Sequence, residues 1–378
     1  MKIPFNKPYF CGKESDMLMQ AAQSGHISGN GEFTKKCQAF FQNRYGFKKA
    51  FLTTSCTDAL EMTAILADIK EGDEVICPSF AFVSTANAFV LRGAKIVFAD
   101  SQENHPNIDA NKLESLITPK TKAIVVIHYA GVACDMDLIM EIAKRKNILV
   151  IEDAAQAIDS YYKGQALGAI GHFATFSFHE TKNVIAGEGG MLVVNDERFV
   201  ERAEIIWEKG TNRAAFFRGE VDKYRWVDMG SSFLPSELIA AFLYAQLLSL
   251  DTIQTKRKEI WQTYFDTLLP LQKKGQVDLP IVPVFASNNA HIFYMIAKSN
   301  HQRNNLIEHL RQQGIHAVFH YLPLHISPFY IEKYDGKTLH NAVRFSENLL
   351  RLPFFFELKP DEQKFVIVQI HHFFSNSK

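Results

Sequence analysis

Between residues 50 and 194 the chain alternates short apolar runs with segments whose apolar residues recur at helical spacing, the pattern of a mostly parallel sheet wrapped by helices. The apolar runs at 50–53, 74–77, 95–99, 123–128, 148–152, 174–178 and 191–194 predict seven strands; 58–69, 83–92 and 136–146 predict helices between them. A helical pattern over 197–208 gives way to 210–232, which is rich in Arg, Gly, Asp and aromatic residues and has no periodicity. Stretches of that length without structure are usually functional or bind a partner. Residues 236–271 predict a long helix broken once, with Pro270 near its end. Beyond 276 the pattern predicts a strand at 291–297, a helix at 302–313 followed by Gly314, a strand at 317–320, and helices within 339–350 and 361–374. The expected fold is α/β: a large domain over 1–250, with an N-terminal arm and the seven-stranded sheet, and a smaller C-terminal α/β domain over 251–378.

In a sheet of this kind ligands bind outside the carboxyl ends of the strands, which is where Ser55, Phe82, Asp153 and Lys182 fall. Lys182 alone means little, because most lysines are solvated charges. With Asp153 at the end of a buried-strand pattern the pair acquires a chemical reading. Pyridoxal phosphate needs an amine to hold it as a Schiff base and a carboxylate to keep its pyridine nitrogen protonated. Side chains alternate across a strand, so only one of Glu152 and Asp153 is expected to face the ligand. A capping Asp at a strand-to-helix turn is the competing use; Gln156, three residues on, favours a ligand, since it reaches the same pocket. Residues 53–60, TTSCTDAL, gather hydroxyls and free N–H groups at a helix N-terminus, a ready anion site. Ordinary capping by Ser or Thr is the commoner use of such a segment. Phe82 has the shape to stack on a cofactor ring, and with 31 phenylalanines in the chain core packing competes with that role. Residues 187–190, GEGG, allow either close backbone approach or a tight turn.

Composition narrows the partners. Lys plus Arg and Asp plus Glu are both 41, so no net field draws the chain to nucleic acid or to an anionic membrane. No apolar run approaches membrane-spanning length, and a cytoplasmic location without membrane insertion is expected. The five cysteines are scattered without a CxxC pair, which suits a reducing compartment and neither zinc nor a disulfide frame. His371-His372 has no third residue spaced to complete a metal site, so no metal is expected. An anionic ligand must therefore be met locally. Lys209, Arg213, Arg218 and Lys223, in or beside the 210–232 segment, are candidates for a nucleotide diphosphate or a carboxylate, with solvated surface charge as the equal alternative.

Taken in order and at their separations, TTSCTDALEM, PSFAFVSTANA, VIEDAAQA, FSFHETKN and GEGGM resemble the DegT/DnrJ/EryC1/StrS sugar aminotransferases over nearly the whole chain. That resemblance implies the aspartate-aminotransferase fold (fold type I of the pyridoxal-phosphate enzymes), a homodimer with shared active sites, and transfer of an amine from glutamate to a keto group on a nucleotide-linked deoxysugar. Carried across by position, it implies that Lys182 is the Schiff-base lysine, Asp153 the pyridinium partner and Gln156 a contact to the ring oxygen. It also assigns Cys56 (through its backbone), Thr57 and Ser177 to the phosphate, Phe82 to the ring face, and His320-Tyr321 to the substrate. Many relatives carry a GxNxRM loop whose Asn reaches the other subunit's cofactor phosphate; here the run is GSSFLP, with Ser232 at the Asn position and Leu234 at the Arg position. This variant, together with HYAGVACDMD, EKGTNR, FFRGEVDKY and VFHYLPLH, looks like the branch that acts on a dTDP-linked 4-keto-6-deoxysugar for surface polysaccharide. Family members that act as dehydratases replace the lysine by histidine, so Lys182 points to amine transfer.

Overall fold

The structure, a computed structural model, describes residues 2–376. Its strands are β1 (Lys49–Thr53), β2 (Glu74–Pro78), β3 (Lys95–Ala99), β4 (Thr121–Ile127), β5 (Leu149–Asp153), β6 (Tyr161–Tyr162), β7 (Gln165–Ala166), β8 (Phe173–Ser177), β9 (Gly190–Val194), β10 (Val277–Asp278), β11 (Tyr294–Ala297) and β12 (Leu349–Arg351). The helices are α1 (Glu14–Gln23), α2 (Glu32–Tyr45), α3 (Cys56–Leu66), α4 (Ser84–Val90), α5 (Met136–Lys146), α6 (Val200–Trp207), α7 (Arg213–Phe217), α8 (Glu237–Leu247), α9 (Leu250–Lys273), α10 (Asn300–Gln312), α11 (His340–Asn348) and α12 (Pro360–Asn376).

Seven strands form one sheet in the order β1-β9-β8-β5-β4-β2-β3, and within it only β9 runs against its neighbours. Each predicted strand of this sheet is present. Alternation sorts their side chains between two cores: Ile124 and Val126 of β4 pack on one face with Phe41, Ile139 and Leu243, while Ala123, Val125 and Ile127 pack on the other with Leu60, Phe89 and Trp207. Burial on both faces explains the nearly continuous apolar runs. The same alternation puts Glu152 with Val150 on the first face and Asp153 with Ile151 on the second.

Helices α1 and α2 fall outside the predicted elements. The N-terminus of α2 is tied down by Glu237 of α8, whose buried carboxylate accepts from the N–H groups of Gly31, Phe33 and Thr34 at 3.0, 2.6 and 3.1 Å. The predicted break in the 236–271 helix is real: α8 and α9 meet at 60°. Among the described residues no single helix is long and apolar enough to cross a membrane. The segment 210–232 carries only the five-residue α7 and is largely exposed.

A second sheet, β10-β11-β12, is antiparallel and backed by α9, α10 and α11, with α12 packed on α9 and α10. Here the sequence reading needs correction. Residues 317–320 do not form a strand; Val318 makes a single bridge to Arg351, and the chain then leaves the sheet to carry His320 and Tyr321 to the cavity described below. The strand is β12 instead, at the end of a segment read as helical, because fully buried Leu349 and Leu350 pair with Ile296 and Met295 of β11. The N-terminal arm joins this layer through a bridge between Ile3 and Ile315, which brings Phe5 and Asn6 to the same cavity.

Candidate active site

The carboxyl ends of β5 and β8, the N-termini of α3 and α4, and residues 351 and 320–321 of the second layer enclose a cavity of about 600 Å³. Lys182 lies in the loop between β8 and β9 and lines this space together with Asp153. The loop is held by an adjacent network: Asn183 Nδ2 donates to Gln254 Oε1 at 2.8 Å and to the Asn289 carbonyl at 3.0 Å, and its Oδ1 lies 2.8 Å from His291 Nδ1. Burial pulls the Lys182 amine below its ordinary pKa, and Arg351 adds to that, while Cys56 and Asp153 oppose it. Asp153 is shifted the other way: burial raises its pKa, and bonds from Thr85 Oγ1 (2.6 Å) and the Ala155 N–H (3.2 Å), with the charge of Lys182, offset this only in part.

At the head of α3, Ser55 is the N-cap and accepts from the Asp58 N–H at 3.0 Å, so part of the expected capping use is present. The amides of Cys56 and Thr57 precede any intrahelical acceptor and lie at the cavity with the hydroxyls of Thr57, Ser84 and Ser177. Thr57 Oγ1 and Ser84 Oγ are 2.9 Å apart. Gly190 has a specific use here: a Cβ on it would lie 2.4 Å from Cys56 N, so only glycine lets β9 run this close beneath the phosphate-type loop. Gln156 Oε1 accepts from the Ala130 N–H at 2.7 Å, and Nε2 donates to Tyr321 Oη at 2.8 Å, which leaves one amide hydrogen for a ligand. Phe82 is 57% exposed at the rim, 6.3 Å from the Tyr321 ring, so the core-packing use does not apply to it. His320 stacks on Tyr321 at 3.7 Å and its Nδ1 lies 2.6 Å from Tyr129 Oη.

A buried carboxylate lacking a full set of donors, an amine of lowered basicity and a helix N-terminus ringed with hydroxyls are the three groups that pyridoxal phosphate needs, and they share one enclosure. The sequence pattern of the DegT/DnrJ/EryC1/StrS aminotransferase family matches residues 10–371. The chain belongs to this family. It is a pyridoxal-phosphate-dependent sugar aminotransferase with the type I fold.

The spore coat polysaccharide biosynthesis protein SpsC of Bacillus subtilis is 33% identical over 97% of this chain and 95% of its own length. Among solved structures, an aminotransferase from Psychrobacter cryohalolentis is 28% identical, with a TM-score of 0.92 over 99% of both chains. The pyridoxal-phosphate form of Spr1654 from Streptococcus pneumoniae is 25% identical, with a TM-score of 0.90 over 99% of this chain and 98% of its own.

In this sugar aminotransferase Cys56, Thr57, Phe82, Asp153, Gln156, Ser177, Lys182, His320 and Tyr321 all line the cavity. Two expected residues do not. Arg218 lies on the exposed segment with its guanidinium 2.8 Å from both Glu204 and Glu220, which satisfy its charge away from the cavity. Ser232 is exposed and pairs through its backbone with Glu208; its neighbour Phe233 accepts from the Thr54 N–H at 2.9 Å, behind the α3 loop. Among the residues at the cavity that lay outside the sequence reading are Thr85, His291 and Arg351. The signal for Arg351 was available, since a lone charge in the apolar run LLRLPFFF needs either a partner or a ligand.

Proposed function

We propose that the chain transfers the amine of glutamate to the C4 ketone of dTDP-4-dehydro-6-deoxyglucose, the activity of a dTDP-4-amino-4,6-dideoxygalactose transaminase. The product would feed a surface polysaccharide such as enterobacterial common antigen or an O-antigen. The chain would act in the cytoplasm as a homodimer with shared active sites. The observation that carries amine transfer is the enclosure of Lys182 with Asp153 below the head of α3. The choice of sugar draws its support from the segments HYAGVACDMD, FFRGEVDKY and VFHYLPLH.

When bound, the cofactor supplies an electron sink for the carbon that loses its proton. Lys182 would hold it covalently, and the amine of Lys182, when free, would move the Cα proton of the donor. An amine whose basicity burial has lowered suits that task near neutral pH. Asp153 keeps the ring nitrogen protonated, the spare hydrogen of Gln156 meets the ring oxygen, and Phe82 covers the ring face. Cys56 N–H, Thr57 and Ser177 hold the phosphate, and Ser232 is assigned to the phosphate held by a second copy. His320 and Tyr321 form the wall against which the sugar lies, and Lys182 delivers the proton to C4 in the second half-reaction.

The test is mass and NMR analysis of the sugar after the cofactor-loaded protein is incubated with glutamate and dTDP-4-dehydro-6-deoxyglucose. An axial C4 amine is expected. An equatorial amine would replace the named product, and bleaching of the cofactor by glutamate without any product would rule out this sugar.

A further inference from the structure

Two hydrogen-bonded relays start at consecutive residues, Tyr129 and Ala130, and end at consecutive residues, His320 and Tyr321, on the cavity wall. The first is one bond long. Tyr129 is 1% exposed, and its hydroxyl, 2.6 Å from His320 Nδ1, has no other partner among the described residues. A buried hydroxyl does not leave its proton unused, so Tyr129 donates and Nδ1 accepts. Burial, with the Arg351 charge second, holds His320 neutral, so its one ring proton sits on Nε2. The second relay has two bonds, and a backbone group fixes its direction. The Ala130 N–H only donates, so the Gln156 atom facing it is Oε1, and Nε2 is left to donate to Tyr321 Oη. Ala130 adopts the left-handed region to make this bond, with φ at +57°. The Tyr321 oxygen therefore accepts from Gln156, and burial pushes its pKa up, so the hydroxyl keeps a proton that points elsewhere. Buried Phe80 packs edge-on against both rings, with centres 6.2 and 5.6 Å away, and holds their orientation. Two neutral donors thus stand side by side, and neither proton has a protein acceptor among the described residues.

Resting on the proposed transfer of an amine to a sugar ketone, we infer that Tyr129 and Ala130 set His320 and Tyr321 as a donor-only pair that grips the keto oxygen of the substrate and lets go of the amino product. The two ends of the reaction differ in the property this pair reads. A ketone oxygen carries two lone pairs and no proton, so it satisfies two donors at once. The product's ammonium carries three protons and no lone pair, so the pair meets it donor to donor. A sugar hydroxyl is the poorer match, because its own proton finds no acceptor on either residue. Tyr129 lies behind the wall and acts through His320, so it is a positioning residue.

The test uses enzyme loaded with pyridoxamine phosphate. Added dTDP-4-dehydro-6-deoxyglucose restores the cofactor absorbance and gives a KM; the amino sugar made by the wild type competes with it and gives a Ki. Tyr321→Phe is expected to raise the KM about tenfold, the worth of one hydrogen bond, and to leave the Ki within about threefold. Tyr129→Phe is expected to raise the KM about fivefold while glutamate bleaches the pyridoxal form at unchanged concentrations. Imidazole ¹⁵N spectra, with His320→Asn to assign the signal, should show the proton on Nε2 alone in wild type and shared between the two nitrogens in Tyr129→Phe. Equal weakening of keto sugar and amino product by Tyr321→Phe, or no weakening, would mean that the residue only packs, and would overturn the donor pair. A wild-type His320 protonated on Nδ1, or a tautomer that Tyr129→Phe does not disturb, would overturn the relay. Wild-type enzyme whose absorbance this sugar does not restore would overturn the proposed substrate, and the reading of its ketone with it.

Discussion

Glu152 and Asp153 are consecutive on β5 and both are buried, yet the protein treats the two carboxylates in opposite ways. Glu152 receives four bonds: 2.9 Å from His128 Nε2, and 2.8, 2.9 and 2.6 Å from the N–H groups of Gly168, Ile170 and Gly171. Burial pushes its pKa up, but these donors outweigh burial and the carboxyl lies below the ordinary glutamate value. Asp153 has two donors, Thr85 and Ala155, and stays above the ordinary aspartate value because burial wins. A carboxylate whose acceptor sites are filled by protein closes a fold; one left short of donors is kept for something that binds later.

The largest effect expected from breaking this contrast is on stability. Glu152→Ala strips the partner from His128 and orphans three backbone N–H groups, and should cost about 3–5 kcal/mol in denaturant unfolding. Because the folded pKa is lowered, the stabilisation is present above the ordinary glutamate pKa of about 4.3 and is lost as the pH falls through the folded value. A variant within about 1 kcal/mol of wild type would remove the structural role from that face of the strand. Asp153→Asn should do the reverse. The shape is kept and Thr85 can still donate, so the folded protein and its unfolding midpoint should stay close to wild type while turnover falls about 10²–10³-fold, the usual cost of removing one charge-stabilising contact. Turnover within a few-fold of wild type would mean that the ring nitrogen does not depend on this carboxylate.

How far these roles could be read from sequence differs between the two faces. The apolar run 148–152 placed the strand, and the two-residue period required that Glu152 and Asp153 point apart. The partners of Glu152 could not be read, because Gly168, Ile170 and Gly171 reach it through the β6–β7 hairpin, which leaves no periodic signal. The same holds across the molecule. All seven strands of the large sheet were legible from their apolar runs, but their order and the reversed direction of β9 depend on long-range pairing. Helix 339–350 hid β12, because a Leu-Leu-Arg run is equally at home in either element until β11 pairs with it. Arg218 looked like a ligand group in sequence because Glu204 and Glu220 do not announce that they fold onto it; the lone charge of Arg351 in its apolar run was legible, but its neighbours in space, Phe5 and Phe319, were not, because they are remote in the chain.

The smallest expected effect is the most specific. Thr85, on α4 and 1% exposed, gives Asp153 its shortest hydrogen bond, so it is a positioning residue that sets when the carboxylate carries its charge. Thr85→Val keeps the shape and removes that donor. That bond favours the charged carboxylate, so its loss should raise the Asp153 pKa further above the ordinary aspartate value. On the proposed role, a protonated Asp153 would not hold the ring nitrogen positive, so activity should be lost below its pKa. The acid limb of the kcat profile should move to higher pH, with turnover returning near wild type on the alkaline side. Thr85→Ser restores the hydroxyl and should restore the limb. If Thr85→Val instead lowers kcat equally at every pH, Thr85 only packs α4 against β5, and the charge of Asp153 is governed by burial and Lys182 without help from α4.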